Sequence, residues 1–421
     1  MPKYEKFSRR EFVKYSGVMG TALPTFNANS YSRISGANNR LAVGIIGCGV
    51  MGQAHLDSLE NMREDQNVEV QAVCDVYTVR AKKFHNQISE GGNQVKVFYD
   101  YRSMLDSCDL DYILIATPEH WHSHQIIDSL DAGFHVYCEK PITRKITEAH
   151  KVFSKVQKTG LKLQVGVQSM SDNSYEAANR AIRNGKLGPI VQAQVDYVRN
   201  YDSIRGPWRV GVDPRLSMPS GLDWNSWIGP APKCPWDPQR FFEWRCYRDY
   251  SGGIATDLLT HRLTRILKAC GLSYPERVNC AGGIYLWNDG RELPDNLEIL
   301  LEYPSIEGIT KGMTVHLLGT MANKTGNPHM IRGKHASLIF NPSGWEIISE
   351  SDGAIIEIHQ SSGAEDISLH HINLQDAIRS DKELNCPVEL GLYAATALIG
   401  ANQSWLSRRT LKWDDSNNKW V

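Results

Sequence analysis

The chain has 421 residues, 41% hydrophobic and 22% charged, a globular composition that excludes disordered, collagen-like and coiled-coil classes and leaves room for two domains. Lys+Arg 46 against Asp+Glu 47 leaves a formal charge of -1, so no field draws the protein to nucleic acid or an anionic membrane surface. A neutral small molecule is the expected partner. The nine cysteines are scattered, with no C-x-x-C pair and no Cys/His cluster at metal-ligand spacing, so no metal is expected.

Residues 1–38 read as a leader. Ser8-Arg9-Arg10-Glu11-Phe12-Val13-Lys14 precedes a weakly apolar, Gly-, Ala- and Thr-rich stretch over 15–26, and together they resemble a twin-arginine export signal. A dozen apolar residues, roughly, cannot span a bilayer. The expectation is export to the periplasm, with the leader either cleaved or kept as a membrane tether. That route carries proteins already folded, which suits a chain that takes up a cofactor first.

From residue 40 short apolar runs alternate with helical stretches, as in βαβ units. Strands are predicted at 41–46, 68–75, 95–98, 111–116, 134–138 and 161–167, with helices at 51–62, 79–88, 123–132 and 147–158. This is a doubly wound parallel sheet, a Rossmann domain over 39–167, and it binds ligands at the strand carboxyl ends. After residue 168 the rhythm changes, and 168–421 is read as an α+β domain. A helix at 175–184 and a strand at 191–198 lead into residues 201–251, which hold seven of the 18 prolines and five of the 11 tryptophans. So long an aromatic-rich excursion is an ordered, functional loop. A helix at 255–269 follows. Strand-like runs at 284–286, 297–303, 310–318, 337–340, 345–349 and 355–358 suggest a largely antiparallel open sheet, closed by helices at 371–379 and 390–406.

Gly47-Cys48-Gly49-Val50-Met51-Gly52 joins the first strand to the first helix, the context in which G-x-G-x-x-G makes a tight turn and offers helix N-terminal amides to a pyrophosphate. Asp75 stands at the end of the second strand, 23 residues past Gly52, placed to accept the ribose hydroxyls of NAD. NADP is disfavoured by that carboxylate, although Arg80 lies near. Ala116-Thr117-Pro118-Glu119-His120-Trp121-His122 and Cys138-Glu139-Lys140-Pro141 follow the fourth and fifth strands onto the same rim.

These motifs, with Gly252-Gly253, Asp257 and His261 and a closing Pro387-Val388-Glu389-Leu390-Gly391 segment, resemble the Gfo/Idh/MocA oxidoreductase family over nearly the whole chain beyond the leader. The resemblance implies that Lys140 reaches the reacting hydroxyl and that Asp257 and His261 complete the site. The residue types agree. A near-neutral imidazole can take a hydroxyl proton as hydride leaves carbon, so His261 is the candidate base. At i, i+4 on a helix Asp257 would orient it, and an ammonium at Lys140 would stabilise a developing alkoxide. Expected cofactor contacts are Gly47, Gly49, Val50, Met51, Gly52, Asp75, Thr117, Pro118, Glu119, His120, His122, Glu139, Lys140 and Gln168. From the loop, Arg199, Arg205, Trp208, Arg209, Arg245 and Tyr247 are candidate sugar contacts, through aromatic stacking and guanidinium donors.

The expected function is NAD-dependent hydride transfer at a secondary hydroxyl of a sugar, glycoside or cyclic polyol, with the cofactor held tightly and recycled because no free nicotinamide pool serves an exported enzyme. A branch of the family that hydrolyses glycosides through transient ring oxidation shares the Thr-Pro-x-x-Trp-His segment, but Lys140 departs from its pattern. The third reading is a sugar- or nucleotide-binding protein without catalysis. By the same resemblance the chain is expected to form a dimer or tetramer.

Overall fold

The computed structural model describes residues 40–201, 204–363 and 365–421, so the twin-arginine segment lies outside the described residues. Leu41–Ile46 forms β1, buried at every position, as a strand covered on both faces must be. The chain continues with α1 (Val50–Asn61), β2 (Val68–Cys74), α2 (Thr78–Glu90), β3 (Lys96–Phe98), α3 (Tyr101–Ser107), β4 (Tyr112–Ile115), α4 (Glu119–Asp131), β5 (His135–Glu139), α5 (Ile146–Thr159) and β6 (Leu163–Gly166). All pairings in this six-stranded sheet are parallel, in the order β3-β2-β1-β4-β5-β6. The order reverses beside β1, so the glycine loop, the segment after β4 and the segment after β5 converge there. Helix α3, for which no element was predicted, is capped by Asp100, whose carboxylate accepts from Arg102 N.

The second domain contains α6 (Ser174–Arg183), β7 (Ile190–Asn200), α7 (Trp224–Ile228), α8 (Pro238–Phe242), α9 (Thr260–Cys270), β8 (Arg277–Gly283), β9 (Asn296–Tyr303), β10 (Met313–Thr320), β11 (Ala322–Asn323), β12 (Met330–Gly333), β13 (Ala336–Asn341), β14 (Gly344–Ser349), β15 (Ile355–Gln360), α10 (Ile367–Ser380), α11 (Val388–Ser407), β16 (Leu411–Asp414) and β17 (Lys419–Trp420). The sheet is largely antiparallel, as expected, but β7 and β10 at its centre run parallel. The strand expected at 284–286 is displaced to β8, because Tyr285 and Leu286 are exposed and donate their amides to the buried Asp295 carboxylate instead of pairing. Helices α6, α9 and α11 cover one face of the sheet. Helix α11 also packs on α5 and β6, and α10 on α1, so the chain's end returns to the first domain.

The excursion over 201–251 is ordered by its own aromatic core. Trp224 stacks on Trp227 at 4.9 Å, and Phe241 and Tyr250 meet Trp227 edge-on. Short helices α7 and α8 start on Asp223 and Asp237, whose carboxylates accept first-turn amides.

Candidate active site

The glycine loop is built for a close backbone approach. Gly47 has φ +99°, and a Cβ there would lie 2.8 Å from the Ala116 carbonyl; at Gly52 it would lie 2.1 Å from Gly47 O. Gly49 differs, since a Cβ would meet only Arg80 Nη1, at 3.9 Å. The open space in front of it adjoins the first turn of α1, which has no side-chain cap, so its amides are free to receive phosphate oxygens. Asp75 is fixed by Cys48 N and Tyr77 N, one at each oxygen and each at 2.8 Å, leaving further acceptor capacity toward ribose hydroxyls. Burial raises its pKa, opposed by Arg80 and these two amides. The residues fit NAD. Gly52→Ala is expected to cost about 1–3 kcal/mol and to yield protein without nicotinamide, as measured by thermal unfolding and by absorbance of the denatured supernatant.

His122 clips the two motif segments together, its Nδ1 2.7 Å from Pro141 O and its Nε2 2.9 Å from Thr117 O. His120 turns the other way. Its Nε2 approaches Trp227 O at 3.1 Å, and its ring packs on Trp227 and Tyr250, so it does not line the cavity as a cofactor contact would. Burial lowers its pKa to about 3, which keeps the ring neutral in that aromatic packing. Glu119 also points inward, accepting from Ser251 Oγ (2.5 Å), Gly252 N (3.0 Å) and Thr256 Oγ1 (3.1 Å). Burial and then the neighbouring Asp257 charge push its pKa up to about 7.

These bonds hold the turn that presents Asp257. Residues Ile254–Leu258 form a π-helical turn before α9, closed by Leu259 N to Ile254 O at 2.9 Å, where the sequence predicted regular helix. Lys140 Nζ donates to Asp257 O (2.6 Å) and Oδ1 (3.0 Å), and Arg245 Nε donates to the same Oδ1 at 3.2 Å. The Asp257 carboxylate is therefore committed to two cations and does not orient His261 by a hydrogen bond. His261 Nδ1 is buried without a partner among the described residues. Burial and then Lys140 lower the His261 pKa to about 4, so its imidazole is neutral and able to accept a proton.

The cavity that Lys140 and Arg245 border measures about 430 Å³, and Asp257 and His261 stand behind Lys140, outside its lining. Gly47, Gly49, Val50, Met51 and Asp75 line one end and Thr117, Pro118, Glu119, His122, Glu139 and Lys140 the other. Gln168 stands behind this wall, donating to Glu139 Oε1 at 2.8 Å, so it supports a lining residue and is not itself one.

Of the loop residues proposed as sugar contacts, Arg245 alone lines the cavity. Of the others, three are bonded to neighbouring side chains, one packs on the core and one is exposed. Arg209 is paired with Glu243 (2.5 Å) and Asp289 (3.1 Å) and donates to the Tyr247 hydroxyl, Arg199 donates to Tyr197 and Tyr201, Trp208 packs against the core, and Arg205 is exposed. The aromatic wall that sequence reasoning did not assign comprises Trp121, Trp227, Phe241, Phe242 and Trp244. The same excursion straps the cofactor end of the cavity: Tyr77 bridges Leu222, Thr78 N donates to Gly221 O (2.9 Å) and Asp223 N to Val76 O (3.0 Å), directly beside Asp75.

Two family models match, together over more than half of the chain: the oxidoreductase family's NAD-binding Rossmann fold over residues 41–167 and its C-terminal alpha/beta domain over 174–271. Inositol 2-dehydrogenase of Salmonella typhimurium is 28% identical over 168 residues, 40% of this chain and 48% of that protein. Glycosyl hydrolase family 109 protein 1 of Shewanella sp. strain ANA-3 is 24% identical over 234 residues, 48% of this chain and 50% of that protein. The chain thus spans about half the length of the curated relatives it matches. Among solved structures, levoglucosan dehydrogenase in complex with NADH and levoglucosan superposes with TM-score 0.67 at 18% identity, covering 89% of this chain and 99% of that one. The WlbA dehydrogenase of Bordetella pertussis, in complex with NADH and UDP-GlcNAcA, gives TM-score 0.65 at 17% identity with the same coverages. The fold is shared with both. With its NAD-binding Rossmann domain and the family's second domain matched in order, the chain belongs to the Gfo/Idh/MocA oxidoreductase family.

Proposed function

We propose that the protein oxidises a secondary hydroxyl of a sugar, glycoside or cyclic polyol and keeps its NAD between turnovers, the reduced cofactor returning its hydride in place to a carbonyl of a second substrate or of the same one. The observation that carries this is Lys140 at the cavity wall, held by Asp257, and close enough for its charge to help keep His261 neutral, the His261 Nδ1 having no partner among the described residues. Bound NAD supplies the hydride acceptor. The Lys140 ammonium stabilises the oxygen as its proton leaves, and His261 receives that proton. Relatives named for inositol and levoglucosan oxidation support the substrate class.

Retention of the cofactor is supported by the backbone bonds that tie residues 221–223 to 76–78 beside Asp75 and by the aromatic residues that line the cavity. Denaturing the purified protein is expected to release about one nicotinamide per chain; an empty protein that binds NAD weakly and reversibly would refute retention. Incubating the holoprotein with sugars, polyols and aryl glycosides tests the reaction. Keto-sugar formation supports it, whereas aglycone release favours the glycosidase reading suggested by the family 109 relatives.

The Arg9-Arg10 pair supports export in the folded, loaded state. Replacing both with lysine is expected to trap the protein in the cytoplasm, and unchanged periplasmic recovery would argue against that route. The open sheet face supports a homo-oligomer, since it exposes Val191 and Leu300, apolar residues on β7 and β9.

A further inference from the structure

We infer that His55 and His371 are positioning residues, a buried imidazole pair that holds the Glu139 carboxylate at the catalytic end of the cavity and makes the returning helix α10 part of the active site. This rests on the oxidoreductase reading above. Glu139 ends β5 beside Lys140 and is 4% exposed. Its Oε1 accepts from His55 Nε2 at 3.0 Å and from Gln168, while Oε2 makes no hydrogen bond to a described residue, which leaves an acceptor for a ligand in the cavity. Gly166 makes room for this arrangement, since a Cβ there would lie 2.8 Å from Glu139 Oε1.

The protons in the chain follow from one another. A carboxylate only accepts, so His55 is protonated at Nε2. Its Nδ1 lies 2.9 Å from His371 Nε2, and in a neutral His55 that Nδ1 must accept. His371 is then protonated at Nε2 and bears a bare lone pair at Nδ1, the ring atom that has no partner. Both histidines are fully buried, with Tyr137 stacked on His371 at 4.5 Å and meeting His55 edge-on at 5.0 Å. An apolar trio could fill this space without the desolvation cost of three polar groups. The polar chain instead terminates on a cavity-lining carboxylate.

Around Glu139 stand His55 from α1, His122 from α4, Tyr137 and Lys140 from its own strand end, Arg245 from the loop, His261 from α9 and His370 from α10. Burial alone would raise its pKa, but His55, then Lys140 and His261, bring it below the ordinary value. Removing the His55 donor raises it.

The test compares His55→Leu with His55→Gln, whose amide can donate to Glu139 and accept from His371. In His55→Leu, NAD retention during dialysis and kcat are expected to fall by about tenfold as pH drops below neutral and to recover in mild alkali; His55→Gln restores the wild-type profile. Should His55→Leu not fold, imidazole nitrogen NMR of the wild-type holoprotein reads the same chain, with both rings expected as the Nε2–H tautomer. A His55→Leu protein with wild-type pH profiles, or a His55 protonated at Nδ1, overturns the inference. A holoprotein that shows these tautomers and retains NAD yet oxidises no sugar overturns the oxidoreductase reading and leaves the positioning role standing.

Discussion

Replacing Lys140 with alanine is expected to lower turnover by about 10²–10⁴-fold while the protein still carries NAD. In the proposed reaction the ammonium stabilises the developing alkoxide, and its two bonds to Asp257 fix it at the cavity wall. The glycine loop and Asp75, which form the other end of the cavity, make no bond to Lys140, so nicotinamide content is expected to stay at the wild-type level. A second signature separates loss of chemistry from loss of fold. Burial is the first cause of the low His261 pKa of about 4, and Lys140 is the second. Without Lys140 the imidazole pKa rises, and any activity limb governed by protonation of His261 moves to higher pH. Steady-state rates across pH, with nicotinamide quantified in the same samples, check both statements; wild-type turnover in Lys140→Ala would remove Lys140 from the reaction.

What was legible in the sequence is the part in which local pattern and chemistry coincide. The strand, glycine loop and helix at Leu41–Asn61 form one continuous segment, and Asp75 and Lys140 sit at strand ends where parallel topology must place them. Asp257 and His261 stand near Lys140, but not in the relation that their spacing predicted. Four-residue spacing predicted a direct contact, whereas the π-helical turn and two cations arriving from Lys140 and Arg245 redirect the carboxylate. Arg209 and Tyr247 stand outside the cavity lining for a similar reason. A loop of this length needs buried ion pairs and aromatic packing to be ordered, and those two residues supply them, whereas Arg199 lies on β7, exposed and bonded to Tyr197 and Tyr201. His55 and His371 carry no sequence signal at all, because their pairing spans 316 residues and is created by α10 folding back on α1.

Asp257→Ala is expected to abolish turnover and to lower stability by about 3 kcal/mol at neutral pH, since it leaves Lys140 and Arg245 facing one another without their shared counter-ion. Burial alone would raise the Asp257 pKa, but Lys140 and Arg245 draw it well below the usual carboxylate range. The sign follows. A depressed folded pKa stabilises the protein above the unfolded value of about 3.9 and loses that contribution in stronger acid. Wild type and variant are therefore expected to differ most near neutrality and to converge below about pH 4. Glu119 behaves oppositely. Its pKa of about 7, raised by burial and by Asp257, favours the folded state at low pH, and that contribution fades as pH rises through neutrality. Removing the Asp257 charge lowers the Glu119 pKa, so the folded variant holds its three donors with an ionised carboxylate at pH values where the wild type has begun to protonate. Denaturant unfolding across pH, run on Asp257→Ala and on Asp257→Asn, reads both effects. A stability difference that does not shrink in acid would show that Asp257 acts through packing and not through its charge.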